Sequence, residues 1–271
     1  MPYHSPQSSK NEPESNSQIL VLGGIFLSGS IIIYLLFNFL VSILITFIPP
    51  SLEHKLGAVI APVYEEQAVE SPQQQTLNQL LDRLEVNLPT KQQQNNEYQV
   101  FYIPEDTVNA IAIPGNKVII YQGLLTEVTS ENELMMVLGH ELGHFAHRDH
   151  LRGLGNVLVL RVTIAYLLGD ASIFKSIVAS SVRAISQAQY SQKQEKQADK
   201  FGLGLLAQTY GQVAGATDFF QRLSKSRTSN FDFLASHPAP AKRVKEIKKL
   251  IRENKYSIGS VEPLPKALQL N

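Results

Sequence analysis

His140-Glu141-Leu142-Gly143-His144 reads H-E-x-x-H, and each constrained position answers a chemical need. Histidines four apart lie on one face of an α-helix, about one turn apart, so both imidazoles can bind one metal ion. Zinc takes two neutral imidazoles and a carboxylate and keeps a fourth position for water. Glu141 follows the first histidine and is placed to reach that water as general base. The ion lowers the water's pKa towards about 7 and makes a nucleophile at neutral pH. The pentapeptide alone occurs by chance in many proteins, so its surroundings decide.

Those surroundings predict a helix. Ser130 suits an N-cap and Glu133 stands three residues on, the pattern of a capping box. Leu134, Val137, Leu138, Leu142 and Phe145 recur at helical spacing and predict one buried face. The histidines then ride on a helix anchored in a core, as a rigid metal site requires.

Zinc needs a third protein ligand, and the sequence offers two. His150 completes H-E-x-x-H-x-x-x-x-x-H in the stretch HELGHFAHRDH. That spacing belongs to the metzincins, which break the helix with a glycine where this chain has His147 and carry a methionine turn downstream. Met1, Met135 and Met136 all precede the motif. His147 and His150 then read as polar residues at a helix end, where a histidine suits the helix dipole. The other candidate is Glu195, in YSQKQEKQADKFG over residues 190–202. Glu195 and Asp199 are four apart and share a helical face. A carboxylate ligand, with a second carboxylate accepting a ligand histidine's free N–H, is a sensible zinc arrangement. Lys193, Lys196 and Lys200 equally fit a solvated charged face, and spacing leaves both readings open.

HELGH, followed by Glu195, Ala198-Asp199 and Gly202, resembles the M48 peptidases. Two more segments carry the likeness. One is Asn109-Ala110-Ile111-Ala112-Ile113-Pro114-Gly115 with the following Gly123-Leu124-Leu125, and the other is Ser236-His237-Pro238. The ordered motifs cover residues 75–250. The resemblance implies a mostly helical zincin-type domain with one Zn2+ per chain on His140, His144 and Glu195. Glu141 is then the base, and Asp199 the carboxylate behind a ligand histidine. It also implies that the strand holding Asn109, Ala110, Ile111 and Ala112 is a sheet edge on which an extended substrate adds as a further strand. Alternatively, Asn109 and Pro114-Gly115 only shape turns. His237 is implied as a catalytic group that stabilises an oxyanion. It could instead plug the open metal position, or simply sit beside prolines in a loop. One departure is Gln192, where the family usually has arginine, which puts a salt bridge or substrate contact there in doubt.

Composition bounds the rest. Twenty-four basic and 24 acidic residues give a formal net charge of zero, which argues against nucleic-acid binding through a basic surface. The absence of cysteine excludes disulfides and thiolate metal sites. Residues 1–18 are polar and predict a disordered tail. Residues 19–48 are almost wholly apolar and uncharged, longer than the roughly 20 residues that cross a bilayer. The run is too long for a signal peptide and ends at Pro49-Pro50, so it predicts a retained single-pass membrane anchor. Lys10 and Lys55 flank it evenly, so the side of the membrane stays open.

The expected organisation is α+β, with a small, mainly antiparallel sheet. Residues 49–71 read as a linker, 72–254 as the metallopeptidase domain and 255–271 as a tail. Leu77, Leu80, Leu81 and Leu84 predict a first amphipathic helix, and strands are expected at 97–103, 108–113 and 117–121. Helices follow at the H-E-x-x-H segment, as a pair over 151–185, around Glu195, at 211–224 and at 240–254. Arg161, Asp170 and Lys175 interrupt the 151–185 stretch, so it reads as helices on the core or at the membrane surface rather than a spanning hairpin. The function expected is a membrane-anchored zinc metalloendopeptidase acting on polypeptides in membrane protein quality control. The alternative is a non-cleaving, chaperone-like relative with the same fold.

Overall fold

A computed structural model describes residues 16–90, 97–169, 180–182, 184–185, 187–225 and 232–270. The chain divides into a unit ending at Leu44 and a unit running from Ile45 to Asn271. Residues 1–15 of the expected tail lie outside the described residues.

Helix α1 (Asn16–Phe47) contains a 30-residue stretch, Gln18–Phe47, long and apolar enough to cross a membrane. Leu20, Phe26, Ile33 and Leu40 lie exposed along it.

The second unit is built round a three-stranded sheet: β1 (Gln99–Ile103), β2 (Ala110–Ile113) and β3 (Lys117–Tyr121), in the order β1-β3-β2. β2 and β3 are antiparallel, joined through a turn in which Gly115 and Asn116 both have positive φ. β1 and β3 run parallel, with Phe101 opposite Ile119. The sheet is therefore mixed, where a mainly antiparallel one was expected. The reason is that β3 takes the middle. Its Val118, Ile119 and Ile120 are fully buried, and a strand apolar on both faces belongs in a sheet interior.

Helix α3 (Pro72–Glu85) packs beside β1. Ser71 caps it by accepting from the Gln74 N–H, and Leu77, Leu80, Leu81 and Leu84 are buried as their spacing predicts. The stretch read as a linker holds helix α2 (Pro50–Glu65). It buries Leu52, Leu56, Ile60 and Tyr64, each four residues from the last. Gly57 lets α2 touch the β2–β3 turn, since a Cβ there would stand 2.4 Å from Gly115 Cα. The expected tail also packs: Glu131 N–H donates to Glu262 O, and Leu264 and Leu268 are buried.

Among the described residues the remaining α-helices are α4 (Gln122–Glu127), α5 (Glu131–Ala146), α6 (Asp149–Gly153), α7 (Asn156–Leu168), α8 (Gln192–Tyr210), α9 (Asp218–Lys225), α10 (Asp232–Ser236) and α11 (Pro240–Glu253). Of the stretch expected to form a helical pair over 151–185, α6 and α7 cover 149–153 and 156–168, while 170–179, with Asp170 and Lys175, lie outside the described residues. The helix expected at 211–224 starts later, because Gly211, at φ 68°, ends α8 in a left-handed cap.

Candidate metal centre

Helix α5 carries H-E-x-x-H and α8 carries Glu195, and the two cross almost backbone to backbone. A Cβ on Gly143 would lie 2.7 Å from Ala198 Cα, and one on Gly202 would lie 2.8 Å from His140 N. Small residues four apart on both helices thus remove the side-chain layer that would hold Glu195 away from the histidines. Both helices are capped. Ser130 accepts from the Glu133 N–H, and Ser191 and Gln194 form a full capping box. The expected box at Ser130 is only half made, because the Glu133 carboxylate accepts instead from Thr129 and from Arg222.

Four side chains converge. His140 Nε2 lies 3.1 Å from His144 Nε2 and 3.2 Å from His237 Nδ1. Glu195 Oε1 lies 3.1 Å from His237 Nδ1 and 3.5 Å from His144 Nε2. One ligand atom from each residue lies within 4.8 Å of all the others, and the group could hold a metal ion. Two nitrogens at 2.0–2.1 Å from a tetrahedral ion stand about 3.3 Å apart, so this spacing fits one ion.

Carboxylates orient both histidines of the motif. His140 Nδ1–H donates to Asp199 Oδ1 at 3.0 Å, and His144 Nδ1–H donates to Asp149 Oδ2 at 3.1 Å. Each bond leaves an Nε2 lone pair aimed inward. Asp199 stands where the motif spacing places it. Asp149 was missed because it lies five residues past His144, off the helical face. Arg148, at φ 59°, turns the chain after α5, and α6 brings Asp149 back. The same turn disposes of His150 as third ligand. It is buried, and its Nε2–H donates to Glu53 Oε1 of α2 at 2.6 Å rather than facing the cluster. The reading of His150 as a polar helix-end residue is corrected with it.

Arg243 and Tyr190 were also missed. Arg243 in α11 is buried, reaches Glu195 Oε2 at 2.8 Å, donates to both Asp199 oxygens and stacks over Phe220. It pairs with two buried carboxylates at once. Seven residues past Ser236, it carried no sequence signal beyond its charge. The Tyr190 ring stacks on His144 at 3.9 Å, and its backbone N–H donates to Ser236 O. Gln192 accepts from Lys242 on the outside of α8, so the departure from arginine leaves the cluster untouched.

The electrostatics follow from burial. Desolvation, then the Arg243 charge, lowers the His140 pKa to about 4. Burial acts the same way on His144, but bonds to Asp149 and Glu195 outweigh it and raise that pKa to about 9. Glu195 is held far below the carboxylate range; burial opposes this, and His237 and Arg243 overcome it. Glu141 is fully buried beside the cluster, and neither carboxylate oxygen has a hydrogen-bond partner among the described residues. β2, with Ala110, Ile111 and Ala112, lies at one edge of the sheet against α5, and buried Asn109 precedes it.

A profile of Peptidase family M48 matches residues 71–251, which include every residue of this cluster. The chain belongs to peptidase family M48. Among M48 relatives, it is 33% identical over 155 residues to metalloprotease LoiP of Escherichia coli, covering 54% of this chain and 60% of that protein. It is 30% identical over 149 residues to mitochondrial metalloendopeptidase OMA1 of Arabidopsis thaliana, covering 55% and 30%. A putative beta-barrel assembly-enhancing protease of Vibrio cholerae is 27% identical over 191 residues, covering 65% and 40%. The matches thus span from under a third to three fifths of these relatives' length.

Proposed function

We propose that this chain is a membrane-anchored zinc metalloendopeptidase that hydrolyses peptide bonds of polypeptides in membrane-associated protein quality control. The observation that carries the reading is a four-donor cluster beside a buried carboxylate with no hydrogen-bond partner among the described residues. Two imidazoles and a carboxylate suit zinc. His140, His144 and Glu195 are the ligands, and zinc would supply Lewis-acid polarisation and acidification of water. Glu141 takes the proton from the attacking water and passes it to the leaving amine; with no hydrogen-bond partner among the described residues and His237 Nε2 3.8 Å from its Oε1, its carboxylate is available to do so. Asp199 and Asp149 hold the ligand tautomers, and Arg243 holds Glu195 and Asp199. The outer edge of β2 receives the substrate backbone, with Asn109, Ala110, Ile111 and Ala112 along it.

His237 stands at ligand distance in a site where the three ligands and Glu141 are at most 1% exposed. We read this as the resting state, with His237 as fourth donor and its loop moving before a polypeptide enters. α1 anchors the catalytic unit in one bilayer.

The test uses the full chain in detergent, with zinc content and casein cleavage as readouts. Wild type binds one zinc and cleaves. Glu141→Gln keeps zinc and loses at least about 10²-fold in rate, and Glu195→Ala loses zinc. Zinc uptake without cleavage, in wild type and in His237→Ala alike, would replace this reading with the non-cleaving, chaperone-like one.

A further inference from the structure

The tip of α7 is apolar on a side that faces away from the core. Val159, Val162 and Ala165 are buried, whereas Ile164 is 45% exposed, Leu167 75% and Leu168 74%. Three large apolar side chains at one helix end form a contiguous patch, unlike the single exposed residues any surface carries. The patch has a defined address. Tyr166, on the opposite side of the same turn, has its Oη 3.2 Å from Ser51 Oγ, and the Lys55 ammonium lies 5.1 Å from the centre of its ring. Ser51 is in the first turn of α2, four residues after the last residue of α1. The tip of α7 is thus pinned beside the point where the chain leaves the apolar helix.

The patch also has the chemistry of a membrane–water boundary. Its two leucines and isoleucine face outward at the level where, on the other side of α7, Tyr166 and Lys55 meet, and tyrosine and lysine are residues that settle at headgroup level. Arg161 is exposed about two turns back from the tip, so only the tip can enter apolar surroundings. At 13 residues α7 is about 20 Å long, too short to span a hydrocarbon core of about 30 Å. We infer that Ile164, Leu167 and Leu168 seat in the surface of a lipid bilayer and fix the attitude of the catalytic unit on the membrane. This rests on the reading of α1 as an anchor.

The chain contains no cysteine, so single introduced cysteines give unique labels. Full-length Leu167→Cys, Leu35→Cys and Lys249→Cys are labelled with an environment-sensitive fluorophore in vesicles of phosphatidylcholine and phosphatidylglycerol. Leu35 reports on α1, and Lys249 on an exposed position of α11. Lipids carrying a doxyl quencher high or low on the acyl chain report depth. The expected result is a blue-shifted Leu167 label quenched most by the shallow doxyl, a Leu35 label quenched by doxyl lipid, and a Lys249 label unaffected. If the Leu35 label is quenched but the Leu167 label emits as in water, the inference falls and the anchor stands. A blue-shifted Leu167 label that no doxyl lipid quenches is covered by protein, which also overturns it. If neither label meets lipid, both readings fall.

Discussion

His140 and His144 are each oriented by an aspartate outside the H-E-x-x-H motif, and the two aspartates differ in what else they hold. Asp149 serves His144, Gln194 and the part-exposed Arg152, whereas Asp199 serves His140 and the buried Arg243. Asp149→Asn and Asp199→Asn are each expected to weaken zinc binding about 10–100-fold, measured by competition with a chromophoric chelator. Their stabilities should separate. Asp199→Asn removes a charge from a buried ion pair, a loss of about 3–5 kcal/mol, so its melting temperature falls much further than that of Asp149→Asn. Equal melting temperatures would show that Arg243 does not depend on Asp199. Asp199 was legible through the M48 resemblance, its spacing to Glu195 alone fitting a solvated face equally well. Asp149 and Arg243 were not, because a positive-φ turn at Arg148 and the docking of α11 place them.

The centre exists because α5 and α8 touch through small residues. Gly139 and Gly143 meet Gly202 and Ala198, and an added Cβ at Gly143 would find Ala198 backbone atoms 2.7 and 2.9 Å away. Backbone cannot yield as a flexible side chain does, so Gly143→Ala must push the helices apart. The expected cost is about 1–3 kcal/mol, seen in thermal unfolding together with reduced zinc content, since Glu195 retreats from the histidines. Gly204→Ala is the control: it sits on the same helix with nothing within 4 Å of its Cβ. It should keep its zinc and gain about 0.5–1 kcal/mol from helix propensity. A Gly143→Ala variant with wild-type zinc and stability would refute the close-crossing account. The glycines were visible in the sequence, but the partner of each was not.

At the scale of the whole molecule, α2 is tied to the end of the helix that carries H-E-x-x-H. Glu53 of α2 accepts from His150 and Arg148, the residues just past α5. Burial opposes its ionisation, but the His150 and Arg148 contacts prevail and lower its pKa from 4.5 to about 2. A carboxyl depressed on folding contributes stability above its unfolded pKa and loses it as pH falls through the folded value. Glu53→Gln should therefore lower stability by about 2–3 kcal/mol at neutral pH. The gap to wild type should narrow below pH 4.5 and close near pH 2, followed by thermal melts across that range. A gap independent of pH would mean that packing, not charge, holds α2. Metal removal acts on the whole fold as well. An ion bound only by the native state at a hundred times its Kd adds about 2.7 kcal/mol. Chelator treatment should thus lower the melting temperature of wild type but leave Glu195→Ala unchanged.

Periodicity and capping residues determined helix α5, the α3 helix and the three strands, because each is set by neighbours within a few residues. Motif spacing determined His140, Glu141 and His144 for the same reason: residues four apart share a helical face in any fold. The central place of β3, the burial of α2 and of Leu264 and Leu268, and the pairing of His150 with Glu53 were decided only in three dimensions. So were the contacts of Asp149, Tyr190 and Arg243 with the cluster. Those depend on which surfaces meet, and a chain's pairing of distant surfaces follows from total burial and charge balance rather than from local sequence.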